Sequence, residues 1–217
     1  MVTSLWADFL YFYLMEAEEP IVSYNQLNPD GNYTYWDYLK WQFDERVELI
    51  KGKIFKMSPA PGAGHQRISF SISMAFGSCF KGKPCSVFVA PFDVRLPIPK
   101  EGKDTTVIQP DLCIICDETK IDKQGCNGAP DLVVEILSPG NSTHEMDTKF
   151  QLYQDAGVKE YWIVEPAEKA VFVYTLRDGI YIGLRPFVEG MTVESPLFPD
   201  LQVEVNDVFF GVKNEEF

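Results

Sequence analysis

Apolar residues recur every four positions at Ile68, Ile72, Phe76 and Phe80, which predicts an amphipathic helix over His65 to Phe80. Upstream, Thr34-Tyr-Trp-Asp37 has the form of a capping box. It predicts a helix through about Phe43, with Tyr35, Trp36, Leu39 and Phe43 on its apolar face. Two alternating runs, Val47 to Ile50 and Lys53 to Met57, flank Lys51-Gly52 and read as a hairpin. Pro and Gly make residues 58–64 a loop. Strands are expected at Ser86–Ala90, Asp93–Leu96, Val107–Cys116 and Asp131–Leu137, with Ile121–Ala129 a loop. A helix from about Glu145 to Ala156 stops at Gly157, and His144 belongs to its polar entry. Strands follow at Glu160–Val164, Lys169–Leu176 and Gly179–Phe187, then a tail of short strands and turns. This order predicts an α/β domain with a central mixed β-sheet flanked by helices, carrying additional β-hairpins.

Length and charge refine that outline. A chain of 217 residues suits one domain plus an extension. Residues 1–32 are read as an N-terminal extension and 33–217 as the domain. The net charge of −13 excludes a protein that coats nucleic acid by bulk attraction. It does not exclude a local site, because residues 37–100 hold ten bases against five acids, whereas residues 101–217 hold nine against 22. The apolar stretch Leu5 to Met15 is too short to span a bilayer and lacks a basic flank and a cleavage site, so no membrane role is expected. Five cysteines, an odd number, fit reduced thiols in a cytoplasmic protein. Cys113 and Cys116 stand three apart in an expected strand, on opposite faces, which spoils a zinc site.

Four polar groups sit where the apolar pattern does not ask for them: Glu48, Asp111, Glu135 and Lys149. Glu135 interrupts Leu132-Val133-Val134-Glu135-Ile136-Leu137 and Asp111 follows Pro110 in an apolar run. A buried carboxylate costs several kcal/mol unless paired or bound to a cation. If their strands lie side by side, Asp111 and Glu135 meet at one sheet end, where Mg²⁺ or Mn²⁺ suits such oxygen ligands. Lys149 then has charge to stabilise or a water to align, and Tyr153 shares its helix face. The plainer alternative is a surface salt-bridge network among Asp111, Glu135 and Lys149. His65 and Gln66 open the helix after the Pro/Gly loop; near the site His65 would contact a phosphate or shuttle a proton, and otherwise it is a helix-start histidine hydrogen-bonded locally. That loop lacks the Gly-Lys-Ser/Thr ending of a nucleoside triphosphate cradle. The aromatics of Tyr161-Trp162 and Phe172–Tyr174 lie in expected strands and suit a core or a dimer interface.

Several linked segments resemble the Uma-type family of restriction endonucleases, a branch of the PD-(D/E)XK nuclease superfamily. They are Glu48-Leu49-Ile50-Lys51-Gly52-Lys53-Ile54, Met57-Ser58-Pro59-Ala60-Pro61, His65-Gln66, Ile108-Gln109-Pro110-Asp111-Leu112, Ala129 to Pro139, Asp147-Thr148-Lys149 and Tyr153 to Val164. The resemblance implies a restriction-endonuclease-like fold and a metal-dependent endonuclease hydrolysing DNA phosphodiester bonds. It implies Asp111, Glu135 and the backbone carbonyl of Ile136 as metal ligands, Mg²⁺ or Mn²⁺ as cofactor, and Glu48 as an assisting acid. The superfamily pattern wants a lysine two residues after the second acid, and this chain has Leu137 there. The lysine role therefore passes to Lys149, with His65, Gln66 and Tyr153 as substrate-binding candidates. A homodimer is implied, since two strands need two sites. The departure at Leu137 also motivates the alternative of a catalytically inactive nuclease-fold binding or structural module.

Overall fold

The computed structural model describes residues 20–57, 60–98, 104–138, 143–213 and 216. The Leu5 to Met15 stretch and the side chain of His144 fall outside the described set. Residues 20–32 pack onto the domain: Leu27 is buried, and Lys53 Nζ donates to the carbonyls of Asp30 and Gly31.

Thr34 caps α1 (Tyr35–Tyr38), accepting from the Asp37 N–H while the Asp37 carboxylate accepts from the Thr34 N–H. The expected continuation to Phe43 does not form. Trp41 instead bridges to Ile21, stacks on Phe43 and meets Tyr33 edge-on, so aromatic packing outweighs helical periodicity. The hairpin β1 (Val47–Ile50) and β2 (Lys53–Lys56) turns at Lys51 and Gly52, whose φ angles of 52° and 77° suit a two-residue hairpin turn.

Next come α2 (Ala63–Phe80), β3 (Ser86–Val89), β4 (Val94–Arg95), β5 (Val107–Ile108) and β6 (Leu112–Ile115). Then follow β7 (Ile121–Asp122), β8 (Gly125–Asn127), β9 (Leu132–Ile136) and α3 (Thr143–Ala156). The chain finishes with β10 (Glu160–Glu165), β11 (Ala170–Arg177), β12 (Ile180–Gly183), β13 (Thr192–Glu194), β14 (Gln202–Glu204) and α4 (Val205–Val208).

Two expectations are corrected. The single strand Val107–Cys116 is two strands in different sheets, because Pro110 has no N–H to give a ladder and sits where the chain crosses over. The loop Ile121–Ala129 is the hairpin β7–β8. Gly125 enters it at φ 127°, where an added Cβ would collide with the Asp93 carbonyl oxygen, so the glycine marks a close strand approach rather than a loop.

One sheet runs β2-β1-β5-β4-β8-β7 and the other β12-β11-β10-β9-β6-β3. The second is mixed: β9 and β10 are parallel, with α3 as their crossover, and its other pairs are antiparallel. Alternate residues of its central strands face opposite layers. Leu112, Ile114, Leu132, Val134, Trp162 and Val164 pack under Ile68, Ile72, Phe76 and Phe80 of α2. Cys113, Ile115, Val133, Tyr161 and Ile163 pack with Leu152 and Tyr153 of α3 and with Ile50, Val94 and Ile108 of the first sheet. Glu135 has the parity of Val133, so its side chain enters this second layer, between the two sheets.

Five reduced thiols are not what the fold holds. Cys85 and Cys116, flanking the β3–β6 pair, form a disulfide, leaving Cys79, Cys113 and Cys126 free. Thiol titration in denaturant without reductant is expected to count three.

Glu160 is fully buried, and its carboxylate accepts from Trp162 Nε1 (2.6 Å), Ser195 Oγ (3.0 Å) and the Leu197 N–H (2.8 Å). Burial raises its pKa above the ordinary glutamate value, although the three donors pull the other way. The folded chain thus keeps this proton to higher pH than the unfolded chain. Stability from Glu160 is full below the unfolded pKa and is lost as pH rises through the folded one. The gap in unfolding free energy between the wild type and Glu160→Gln should therefore narrow from pH 4.5 towards pH 7, measured by urea melts.

Among the described residues no helix is long and apolar enough to cross a membrane.

Candidate active site

The site lies where the two sheets come together. In the β6–β9 pair Leu112 faces Val134, so one step further out Asp111 stands across from Glu135. Pro110 positions Asp111 at this junction, just after the crossover between sheets. The Asp111 Oδ2 accepts from the Ile136 N–H at 2.7 Å, which ties the start of β6 to the end of β9. His65, in the first turn of α2, brings Nε2 to 3.3 Å from Asp111 Oδ1. Its Nδ1 is buried and has no hydrogen-bond partner among the described residues.

Glu48 comes from the first sheet and Lys149 from α3, 101 residues away in the chain. The Lys149 Nζ lies 3.2 Å from Glu48 Oε1 and 3.1 Å from Glu135 Oε1. Burial works against the Lys149 charge, but the two carboxylates outweigh it and hold the ammonium well above the ordinary lysine range. Glu135 is pushed up mainly by burial; Lys149 opposes this, while Asp111 and Glu48 add to it. Tyr153 Oη donates to Glu135 Oε1 at 2.5 Å.

The structure thus brings Glu48, Asp111, Glu135 and Lys149 to one cavity of about 230 Å³, which His65, Gln66 and Ile136 also line. Tyr153 is the exception. It shares the face of Lys149, one helical turn on, but is wholly buried and does not line the cavity. Its place beneath Glu135 makes it a support for that carboxylate rather than a substrate contact, because the helix face they share points inward.

Sequence reasoning missed two residues. Arg46 lines the cavity, and its Nη2 donates to Gln109 Oε1 at 2.8 Å. Gln109 gives its backbone N–H to Glu48 Oε1 at 3.1 Å and its Nε2 to Asp93 Oδ1 at 2.8 Å. The available signal was a polar residue ending an apolar strand two positions before Asp111.

Among the described residues no three His, Cys, Asp or Glu side chains stand close enough to hold an ion as they are. The donor chemistry nonetheless fits a hard divalent cation. Three carboxylates, all hard oxygen donors, line the cavity and one ammonium answers two of them.

Similar proteins have this shape. A crystal structure of a putative nuclease of the DUF820 group from Anabaena variabilis matches with a TM-score of 0.64 and 24% identity, covering 82% of this chain and 97% of that one. That likeness shows the fold. A protein of Synechocystis sp. described as uncharacterized is 26% identical over 167 residues, 76% of this chain and 82% of its own length. The family model Uma2, described as "Putative restriction endonuclease", matches residues 36–206, and the chain belongs to that family.

Proposed function

We propose that the protein is a metal-dependent endonuclease that hydrolyses DNA phosphodiester bonds. The observation that carries this reading is the convergence of Glu48, Asp111, Glu135 and Lys149, from four separate segments of the chain, on one solvent-reached cavity. Family membership supports it.

Asp111, Glu135 and the carbonyl of Ile136 would hold Mg²⁺ or Mn²⁺, which supplies Lewis acidity to the phosphoryl oxygens and a more acidic bound water. The chain's own groups do the rest. Lys149 stays protonated and carries positive charge to where the phosphoryl group gains negative charge. Tyr153 fixes one oxygen of Glu135, leaving Oε2 directed by that hold. The Ile136 N–H fixes Asp111 through Oδ2 and leaves Oδ1 beside His65. His65 and Gln66 contact the substrate phosphates. The enzyme acts as a homodimer, one site for each strand.

A second reading, an inactive nuclease-fold binding module, draws on the contacts of Lys149. It is already paired with both Glu48 and Glu135, and Leu137 stands at the usual lysine position. One assay separates the two: cleavage of DNA and RNA with Mg²⁺, Mn²⁺ or chelator, with Glu135→Gln as control, which keeps an acceptor for the Tyr153 hydroxyl. Cation-dependent DNA cleavage that the control lacks supports the nuclease. No cleavage of either polymer under any cation supports the module.

A further inference from the structure

We infer that Arg46, held by Gln109, forms a phosphate-binding subsite beside the proposed catalytic centre, one that takes a backbone phosphate of the nucleic acid next to the bond being cut. The inference rests on the nuclease reading for the identity of the polymer. It does not rest on it for the existence of an anion site.

Arg46 sits one residue before β1 and is half-buried at the cavity wall. It extends the row that carries Glu48, because residues two apart on a strand share a face. Its partner is what sets it apart. A half-buried guanidinium ordinarily finds a carboxylate, yet the Nη2 of Arg46 donates to a neutral amide oxygen, which orients the fork without cancelling its charge.

The amide is itself fixed from behind. Gln109 Nε2 donates to Asp93 Oδ1 at 2.8 Å and stands 3.3 Å from Tyr38 Oη, which in turn reaches the same Asp93 oxygen at 3.3 Å. An acceptor at Asp93 forces the NH₂ side of the amide inward, so the carbonyl side must face Arg46. The Gln109 N–H also holds Glu48 Oε1, the oxygen that Lys149 grips. One residue therefore couples the guanidinium to the catalytic carboxylates at a fixed spacing. A planar fork whose remaining side-chain N–H groups have no hydrogen-bond partner among the described residues, at the cavity wall, is matched by a phosphodiester oxygen pair.

Arg46 is a substrate-binding group here, and Gln109 a positioning residue. The test is binding of a fluorescein-labelled 20-nucleotide duplex, and of its single strand, by anisotropy in chelator across a salt series, so no cleavage intervenes. Arg46→Ala should weaken binding about tenfold and reduce the slope of log K on log salt by about one contact. Arg46→Lys should restore the slope but only part of the affinity. Gln109→Ala should weaken binding less, and the double variant should be no weaker than Arg46→Ala, since Gln109 acts through the arginine. Gln109→Ala that only lowers the urea midpoint, or Arg46→Ala with wild-type affinity and slope, overturns the inference. Wild-type cleavage with an unchanged KM in Arg46→Ala would also overturn it while leaving the nuclease reading intact. Arg46-dependent binding by a protein that cleaves nothing would do the reverse.

Discussion

Lys149→Met is expected to cost about 3–5 kcal/mol of unfolding free energy and to abolish DNA cleavage. Methionine keeps the helix propensity of lysine and much of its volume, so α3 itself should persist. What goes is the ammonium that lies 3.2 Å from Glu48 and 3.1 Å from Glu135. Both carboxylates are buried, with 4% and 8% of their surface exposed, so neither can turn to bulk water for compensation. The two carboxylates then keep only neutral donors, the Gln109 N–H on Glu48 and the Tyr153 hydroxyl on Glu135, with no cation between them, and the fold must strain or take up protons. Urea melts measure the loss. Adding Glu48→Gln to the variant should recover part of it, because one of the two stranded charges is removed. Mg²⁺ should raise the midpoint of Lys149→Met more than that of the wild type, since a cation can occupy the position the ammonium leaves. A stability within about 1 kcal/mol of the wild type would mean that the three-way ion pair is worth no more than an exposed pair.

Much of this was legible in the sequence, for definite reasons. The four-residue spacing of Ile68, Ile72, Phe76 and Phe80 survives in α2 because one face packs on one sheet. Glu135 stood out because the strand around it is apolar on both faces, so a carboxylate there had to have partners. What was illegible came from contacts between segments distant in sequence. The helix from Thr34 stops after one turn because Trp41 finds Ile21 and Phe43, which no local pattern announces. The run Val107 to Cys116 looked like one strand because its apolar character is continuous across Pro110, while the sheets it joins are decided by β1, β4, β3 and β9. Tyr153 was correctly placed on the face of Lys149, but a shared face does not tell inside from outside. Only the packing of α3 against Val133 and Tyr161 buries it. The disulfide joins Cys85 and Cys116 across neighbouring strands, a pairing that spacing alone leaves undetermined.

Asp111→Asn and Glu135→Gln are each expected to lower DNA cleavage by at least about 10³-fold, roughly 4 kcal/mol of transition-state stabilisation. These replacements are sharper tests than alanine because they keep the supporting contacts. Asparagine retains an oxygen to accept the 2.7 Å bond from the Ile136 N–H, and glutamine retains one for the Tyr153 hydroxyl. Alanine at 135 would instead leave that buried hydroxyl without its acceptor, and a loss of activity would be mixed with a loss of stability. The amides also remove the negative charge that a hard divalent cation requires. Stability should move in the opposite sense to activity at Asp111, where a neutral side chain reduces the anionic load around Glu135. The double variant should be no worse than the weaker single one, because two ligands of one ion act as a unit. Calorimetric titration with Mn²⁺ gives the independent readout, with binding expected in the wild type and lost in both variants. Cleavage within threefold of the wild type in either variant would remove that carboxylate from the chemistry. Mn²⁺ binding retained in both would move the ion away from Asp111 and Glu135 altogether.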